Sequence, residues 1–135
     1  MITPYLFFPG NCEEAINFYK TVFKGEITFI QRFGEANMPV DEEYKNKVMH
    51  ATLEFNDTRL QFSDGAPHKE ITPGDNVHLS LNFDNETKMR LTWSKLAEGG
   101  SVHMELQDTF WGAIYGQLED KFGIRWMFNF QKEQI

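Results

Sequence analysis

The sequence has few features that would place it in a membrane, on nucleic acid or in a disulfide framework. Its single cysteine, Cys12, cannot form an internal disulfide, which indicates a reducing compartment. It has no run of five Lys or Arg residues, and its formal net charge of −7 would repel a phosphate backbone. No apolar run approaches the ~20 residues that span a bilayer, and MITPYLFFPG at the N-terminus lacks the basic segment of a signal peptide. We therefore expect a cytoplasmic protein that binds neither nucleic acid nor membranes.

Aromatic side chains, by contrast, are plentiful. They make up 15% of the 135 residues, with 13 Phe among them, and hydrophobic residues make up 41%. A chain of this length buries about two-thirds of the surface that its unfolded form exposes, which is enough for one ordinary domain. We expect a single domain over residues 1–135 with an aromatic-rich core.

The first half of the chain predicts one helix among four strands. Asn11 is a good N-cap residue, Glu14 completes a capping-box pattern, and Gly25 is a typical residue to end the helix. Asn56 and Asp57 are typical of a two-residue hairpin turn. The predicted strands lie at 3–8, 26–33, 48–55 and 58–63.

The second half repeats this pattern. Asn85 and Gly99 bound a second predicted helix, and each lies 74 residues after its counterpart, Asn11 or Gly25. The predicted strands lie at 77–83, 101–107, 111–118 and 124–130. The sequence therefore predicts an α+β fold of two β-α-β-β-β modules, about 1–66 and 75–135. We expect their sheets to join into one curved, mostly antiparallel surface, with the helices outside and a groove inside.

Four segments carry a family resemblance, at 4–23 (PYLFFPGNCEEAINFYKTVF), 48–55 (VMHATLEF), 60–65 (LQFSDG) and 110–130 (FWGAIYGQLEDKFGIRWMFNF). They resemble the PhnB-like branch of the vicinal oxygen chelate superfamily, the glyoxalase/bleomycin resistance/dioxygenase fold. The resemblance implies paired β-α-β-β-β modules and a homodimer. Relatives are often labelled 3-demethylubiquinone methyltransferase-like, but the chain has no Gly-rich strand-to-helix turn followed by an acidic residue, as a nucleotide-like methyl donor usually requires.

The resemblance also implies where a metal would be held. Metal-dependent members use four side chains, usually His, Glu or Gln, from the first and the third or fourth strands of each module. His50 and His78 match two of these positions, whereas Pro4 (or Tyr5, after a one-residue slip) and Met127 match the other two. Two imidazoles and a thioether are a poor set for a hard divalent ion. We therefore predict no cofactor, and keep a divalent metal on His50 and His78 as the alternative.

Strand alternation places polar side chains on one face of the third strand. Residues 49, 51, 53 and 55 are apolar and should cover the helix, so His50, Thr52 and Glu54 should face the groove. A His50/Glu54 acid–base pair and a solvated strand face both remain open.

The last strand offers a second polar face. Arg125 and Asn129 could orient a carboxylate or phosphate of a ligand, although Arg125 could equally pair with an acidic residue of the chain. Trp111 and Tyr115 either line the mouth of the groove or pack between the modules. Cys12 is either a reactive thiol at a helix start or an ordinary turn residue. The acidic segment 34–47 is long enough to act as a lid.

Three functions follow from these residues. The chain is interpreted first as a PhnB-like protein that binds a small molecule with His50, Thr52, Glu54, His78, Arg125, Asn129, Trp111 and Tyr115. The alternatives are a metal-dependent lyase, isomerase or oxygenase, and a non-catalytic dimeric interaction module. The step from family to activity is analogy, because one scaffold hosts several chemistries.

Overall fold

Two β-α-β-β-β units follow one another in the computed structural model, which describes residues 1–132. The first compact unit is Met1–Thr72 and the second begins at Pro73. The segment between the two predicted modules is thus divided between the units. Residues 133–135, the end of the second predicted module, lie outside the described residues.

The first unit holds four strands and one α-helix. These are β1 (Tyr5–Phe7), α1 (Cys12–Phe23), β2 (Glu26–Arg32), β3 (Val48–Phe55) and β4 (Thr58–Ser63). The sheet order is β1-β4-β3-β2, with β1 parallel to β4 and the other two pairs antiparallel. Asn56 adopts the left-handed conformation, with φ of 52°, in the two-residue turn between β3 and β4, as the sequence predicts.

One face of this sheet packs against α1. Leu53 and Phe62 are fully buried there, Tyr19 stacks on Phe62 with ring centroids 5.9 Å apart, and Phe23 stacks on Phe55 at 4.4 Å. Each large apolar side chain buried in this way contributes about 1.5–3 kcal/mol. The predicted apolar face of β3 is therefore confirmed, and its opposite face is left for polar side chains.

The start of α1 differs from the prediction. The side chain of Asn11 makes no capping hydrogen bond. Instead, the buried Asp64 caps the helix from 52 residues away, because its Oδ1 accepts the Cys12 N–H at 2.9 Å. Its Oδ2 accepts the Val48 N–H at 2.8 Å. One carboxylate thus joins the helix start to β3.

The end of α1 also differs by one residue. Lys24, not Gly25, takes the left-handed conformation, with φ of 53°. Gly25 is required for a different reason, since a Cβ there would lie 3.0 Å from the carbonyl oxygen of Glu54. The glycine lets the chain pass close to β3.

The second unit repeats the topology. It holds β5 (Leu79–Phe83), α2 (Glu86–Ala97), β6 (Ser101–Asp108), β7 (Ala113–Glu119) and β8 (Arg125–Gln131). The sheet order is β5-β8-β7-β6, again with one parallel and two antiparallel pairs. The predicted cap is confirmed here, because Asn85 Oδ1 accepts the Lys88 N–H at 2.8 Å.

The core of this unit lies between α2 and the sheet. Trp126 and Phe128 of β8 are buried, and Trp93 of α2 meets Phe128 edge-on at 4.9 Å. Gly116 of β7 lies beneath Trp93, where a Cβ would come within 2.8 Å of the indole. The apolar face predicted for β8 is therefore confirmed for these two residues, whereas Phe130 is only half-buried.

The predicted α+β class is confirmed as two four-stranded mixed sheets, each with one helix. The joining of these sheets into one curved surface remains a prediction. Within residues 1–132 no helix combines the length and the apolar character needed to cross a membrane.

Segment 34–47 is more ordered than a simple loop. Short 3₁₀ helices lie at Phe33–Glu35 and Glu42–Tyr44, and Gly34 N–H donates to Lys45 O at 2.9 Å. The ring of Phe33 is buried against Tyr44, with centroids 5.0 Å apart. The movement of this segment as a lid remains a prediction.

Candidate functional site

The open face of the first sheet, away from α1, carries aromatic side chains around His50. The register pairs Tyr5 with Gln61 and Gln61 with Thr52, so Tyr5 of β1 and Gln61 of β4 lie on the same face of the sheet as His50. Tyr5 is 38% exposed, Phe7 51% and Phe29 48%. Such exposed aromatic groups, gathered on one polar face, are suited to contact a flat ligand.

His50 is held within this cluster by Tyr5. The Tyr5 hydroxyl lies 2.7 Å from His50 Nδ1, and the ring centroids are 5.5 Å apart. Phe29 lies against the other side of the cluster, 5.7 Å from the imidazole, and Phe7 lies 4.9 Å from the ring of Tyr5. We call Tyr5, Phe7, Phe29 and His50 the His50 cluster.

Tyr5 keeps its hydrogen in this setting. Partial burial raises the pKa of the Tyr5 phenol, and a hydrogen bond with the Ser63 side chain opposes that rise. The phenol is therefore protonated at neutral pH and has a hydrogen to donate.

Thr52 and Glu54 share the face of His50 but not its contacts. Thr52 is buried, and Glu54 Oε1 pairs with Arg59 Nη2 across the hairpin at 3.4 Å. Four residues along a strand span about 13 Å, which is too far for His50 and Glu54 to exchange a proton directly. This spacing disfavours a direct His50/Glu54 acid–base pair, one of the two alternatives that the sequence leaves open, and the hydrogen-bond partner of His50 is Tyr5.

Two clefts of the first unit lie along the segment after β4. The smaller, about 240 Å³, is lined by Phe7 of the His50 cluster and by residues 65, 66 and 69–72. The larger, about 680 Å³, lies beside the start of α1, where Asn11, Tyr44, Lys47 and Asp64 line it. The smaller cleft therefore extends the open face of the sheet.

The open face of the second sheet brings Tyr115 and Asn129 together as a cross-strand pair. The Tyr115 hydroxyl accepts a hydrogen bond from Gln117 Nε2 at 2.9 Å, and Asn129 Nδ2 donates to Asn82 Oδ1 at 3.4 Å. Trp111 is 49% exposed and meets Tyr115 edge-on at 6.0 Å. This face therefore combines amide groups with exposed aromatic rings.

Arg125 lies on the same face but is already paired. Its Nη2 lies 3.0 Å from Glu119 Oε1, and His103 Nε2 approaches that oxygen at 3.4 Å. Arg125 thus pairs with an acidic residue of the chain, which is one of the two alternatives that the sequence leaves open. A ligand anion would have to displace Glu119.

His78 precedes β5 and points its two ring nitrogens in different directions. Nε2 lies 2.9 Å from the carbonyl oxygen of Asp75, which only accepts, so Nε2 carries the hydrogen. Nδ1 is buried and has no hydrogen-bond partner within the described part of the chain. Nδ1 of His78 is therefore an unused hydrogen-bond acceptor.

The side chains at the family's metal positions do not fit a hard divalent ion. In the first unit Pro4 offers no donor side chain, and the Nδ1 of His50 is engaged by Tyr5. In the second unit Met127 offers a thioether. Among residues 1–132 no three His, Cys, Asp or Glu side chains group in a way that could hold a metal ion.

Cys12 is fully buried, and burial raises the pKa of its thiol well above the ordinary value, reinforced by the nearby Asp64 and Glu13 carboxylates. The thiol is therefore protonated at neutral pH and shielded from reagents, so the structure favours a structural cysteine over a reactive one.

These features define a protein of paired β-α-β-β-β units with polar and aromatic side chains on its open sheet faces. Residues 2–128 match the Glyoxalase/Bleomycin resistance protein/Dioxygenase superfamily, and the chain belongs to this family.

Similar proteins lie in the PhnB-like branch, as the sequence resemblance predicts. Protein YjdN of Escherichia coli K12 is 28% identical, and the match covers 98% of this chain and 97% of YjdN. The structure of PA1353 from Pseudomonas aeruginosa is 38% identical with a TM-score of 0.89, covering 98% of both chains. The PhnB protein of Bacillus cereus, described as a candidate 3-demethylubiquinone-9 3-methyltransferase, is 30% identical with a TM-score of 0.77, covering 96% of this chain and 98% of its own.

The sequence pattern missed the aromatic members of the His50 cluster. Tyr5 entered only as a neighbour of Pro4, and Phe7 and Phe29 were part of apolar strands. Strand alternation could have predicted them in part, because residues 5 and 7 lie on the same face of a strand and residue 6 lies on the face toward the helix. Alternation does not predict the strand order, which places β1 beside β4.

Proposed function

We propose that this chain is a PhnB-like small-molecule-binding protein whose ligand contacts the open face around His50. The observation that carries the proposal is the His50 cluster, in which a hydrogen-bonded imidazole lies among exposed aromatic rings. A mostly apolar surface with a few placed polar groups is the usual composition of a small-molecule site. Thr52 and Glu54 are proposed to border the ligand on the same strand.

The open face of the second unit is proposed to offer ligand contacts of its own. Tyr115, Asn129 and Trp111 supply aromatic and amide groups, and His78 supplies a buried acceptor nitrogen. Arg125 is proposed to contact an anionic ligand only in exchange for Glu119. These roles are consistent with binding alone and need no catalytic group.

Methyl transfer, the activity suggested for the Bacillus cereus protein, is not proposed for this chain. The sequence has no glycine-rich turn between a strand and a helix followed by an acidic residue, the feature that usually binds a nucleotide-like methyl donor. Binding of a small molecule requires neither.

We further propose a homodimer located in the cytoplasm. A free thiol as the only cysteine is consistent with a reducing compartment.

Sedimentation velocity over a range of concentrations tests the dimer, and a monomer at all of them would contradict it.

A thermal-shift screen with small aromatic and anionic compounds tests the binding function. A ligand present at about 100 times its Kd stabilises the folded chain by about 2.7 kcal/mol, which raises Tm by several degrees. We expect at least one compound to raise Tm, and His50→Ala to lose that gain.

His103→Ala is the matched control, since His103 is an exposed histidine that lies outside the His50 cluster and contacts Glu119. It should keep the gain in Tm. A hit that survives His50→Ala unchanged, or a screen in which no compound raises Tm, would contradict the proposal.

A further inference from the structure

Tyr5 and His50 share a short hydrogen bond on the open face of the first sheet. The Tyr5 hydroxyl lies 2.7 Å from His50 Nδ1. The direction of this bond decides which nitrogen of His50 carries the hydrogen.

The hydrogen of the Tyr5 hydroxyl fixes the direction of this bond. Partial burial raises the pKa of the phenol, so the hydrogen is present at neutral pH. His50 Nδ1 lies 2.7 Å from the hydroxyl oxygen, a distance at which a bare ring nitrogen accepts that hydrogen.

The tautomer of His50 follows from the number of hydrogens available. The Tyr5 hydroxyl donates its hydrogen to His50 Nδ1. A neutral imidazole has one N–H and one bare nitrogen. With Nδ1 accepting, the hydrogen of His50 is on Nε2.

We propose that Tyr5 is a positioning residue that holds His50 as the Nε2–H tautomer, so that it offers a directed donor to a carbonyl or carboxylate oxygen of a flat ligand. The ligand part of this inference rests on the proposed function. The hydrogen-bond arrangement does not, because it belongs to the ligand-free chain.

The rings beside His50 supply the second part of the ligand chemistry. Phe29 lies 5.7 Å from the imidazole, and Phe7 lies 4.9 Å from Tyr5 at the mouth of the smaller cleft. Aromatic faces favour planar apolar groups in offset or edge-on contact. A planar ring that bears a carboxylate, such as benzoate, meets both requirements.

Nitrogen-15 NMR of the ligand-free, histidine-labelled protein tests the tautomer at a weakly alkaline pH, where imidazole is neutral. The chain has four histidines, so the spectrum of His50→Gln assigns the His50 signals by their loss. We expect a protonated Nε2 and a bare Nδ1. Tyr5→Phe keeps the ring and removes the hydroxyl, so both tautomers should then be populated.

Tyr44→Phe is the matched control, because it deletes a hydroxyl of the same unit that bonds to the carbonyl oxygen of Gly65 at 2.8 Å. It should leave the His50 signals unchanged. A hydrogen on Nδ1 of His50 in the unsubstituted protein, or His50 signals that do not respond to Tyr5→Phe, would overturn the assignment of Tyr5.

Benzoate then tests the ligand class on the same samples. It should shift the His50 Nε2 resonance in the unsubstituted protein, and Tyr5→Phe should weaken its binding about 2- to 10-fold, the effect of one oriented hydrogen bond. If benzoate leaves His50 unperturbed, the ligand class is wrong, while the tautomer measurement still decides the role of Tyr5. Binding elsewhere on the chain that spares His50 would count against the proposed function itself.

Discussion

At the scale of single residues, Asp64 links two elements of the first unit, α1 and β3. It is 4% exposed, and its two carboxylate oxygens accept the backbone N–H groups of Cys12 and Val48. A buried carboxylate is costly unless its lone pairs are used, and here both oxygens are engaged. The bonds satisfy the first N–H of α1 and the first of β3 at once.

Asp64→Asn is therefore expected to destabilise the fold. An amide keeps the shape, but its NH₂ group would face one of the two N–H groups and leave it without an acceptor. We expect a loss of about 1–3 kcal/mol in the free energy of unfolding, measured by urea denaturation. Asp57→Asn, in the exposed hairpin turn, is the control and should change little. Equal effects of the two substitutions would contradict this role of Asp64.

Cys12 makes stability depend on pH. Because burial raises the pKa of its thiol above the value in the unfolded chain, the folded form stays protonated while the unfolded form ionises. The stability contribution is therefore complete below the unfolded pKa and declines as pH rises above it, by about 1 kcal/mol per pH unit. Urea denaturation between about pH 8 and pH 10 should show this decline.

Cys12→Ala should make that pH dependence shallower, whatever its effect on stability at pH 7. In the native protein the thiol should also react slowly with a thiol reagent and quickly after unfolding. Identical pH dependence with and without the thiol, or rapid labelling of the folded chain, would show that Cys12 is not held protonated.

At the scale of elements, the two helices show what a local pattern can and cannot predict. Both begin after an asparagine, but only Asn85 caps its helix with its own side chain. At the equivalent position Asn11 Oδ1 is buried and has no hydrogen-bond partner among residues 1–132. The propensity of asparagine for an N-cap was visible in the sequence, whereas the distant Asp64 that replaces it was not.

A pair of alanine substitutions should separate the two helix starts. Asn85→Ala removes a working cap and should cost about 1 kcal/mol. Asn11→Ala removes an unpaired polar atom, so its cost should be clearly smaller. Thermal or urea unfolding of both variants measures the difference, and a larger loss for Asn11→Ala would contradict the capping role of Asp64.

The strands were predicted more closely than the contacts on their faces. The bounds Val48–Phe55 and Thr58–Ser63 match the prediction, because alternation and a two-residue turn are local signals. The partners of Arg125, His50 and Glu54 depend on strand register, which brings Glu119, Tyr5 and Arg59 beside them. The candidate site was therefore predicted as a set of residue positions, not as a set of contacts.

Gly116 tests the packing of α2 on its sheet. A Cβ at this position would lie 2.8 Å from Trp93 and 3.0 Å from Leu106, so Gly116→Ala must displace the indole. We expect a loss of about 1–3 kcal/mol, as for other overpacked cores, measured as a lower urea midpoint. Gly74→Ala is the control, since its Cβ would meet only the end of the Asn76 side chain at 3.5 Å. Full stability of Gly116→Ala would mean that Trp93 has room to move.

At the scale of the whole molecule, charge decides which partners are accessible. The chain carries 20 Asp and Glu against 13 Lys and Arg. Several of the basic residues are paired with carboxylates on the surface, each pair worth about 0–1 kcal/mol, so their effect on stability is small. The pairs are Arg32–Glu13, Lys45–Glu42, Arg59–Glu54, Arg90–Glu86, Arg125–Glu119 and Lys132–Asp108. These pairs matter more for the charge of the surface, because each one neutralises a basic side chain locally and the excess of acidic residues remains.

That excess predicts no association with nucleic acid, even at low salt. Non-specific DNA binding depends on neutralising phosphates with Lys and Arg and strengthens steeply as salt is lowered. We expect no rise in the fluorescence anisotropy of a labelled DNA duplex at protein concentrations up to about 10⁻⁴ M, where weak non-specific binders already bind. Polylysine serves as the positive control. A rise in anisotropy that disappears with added salt would reveal a local basic surface, and the −7 net charge would then be a poor guide to the partners of this chain.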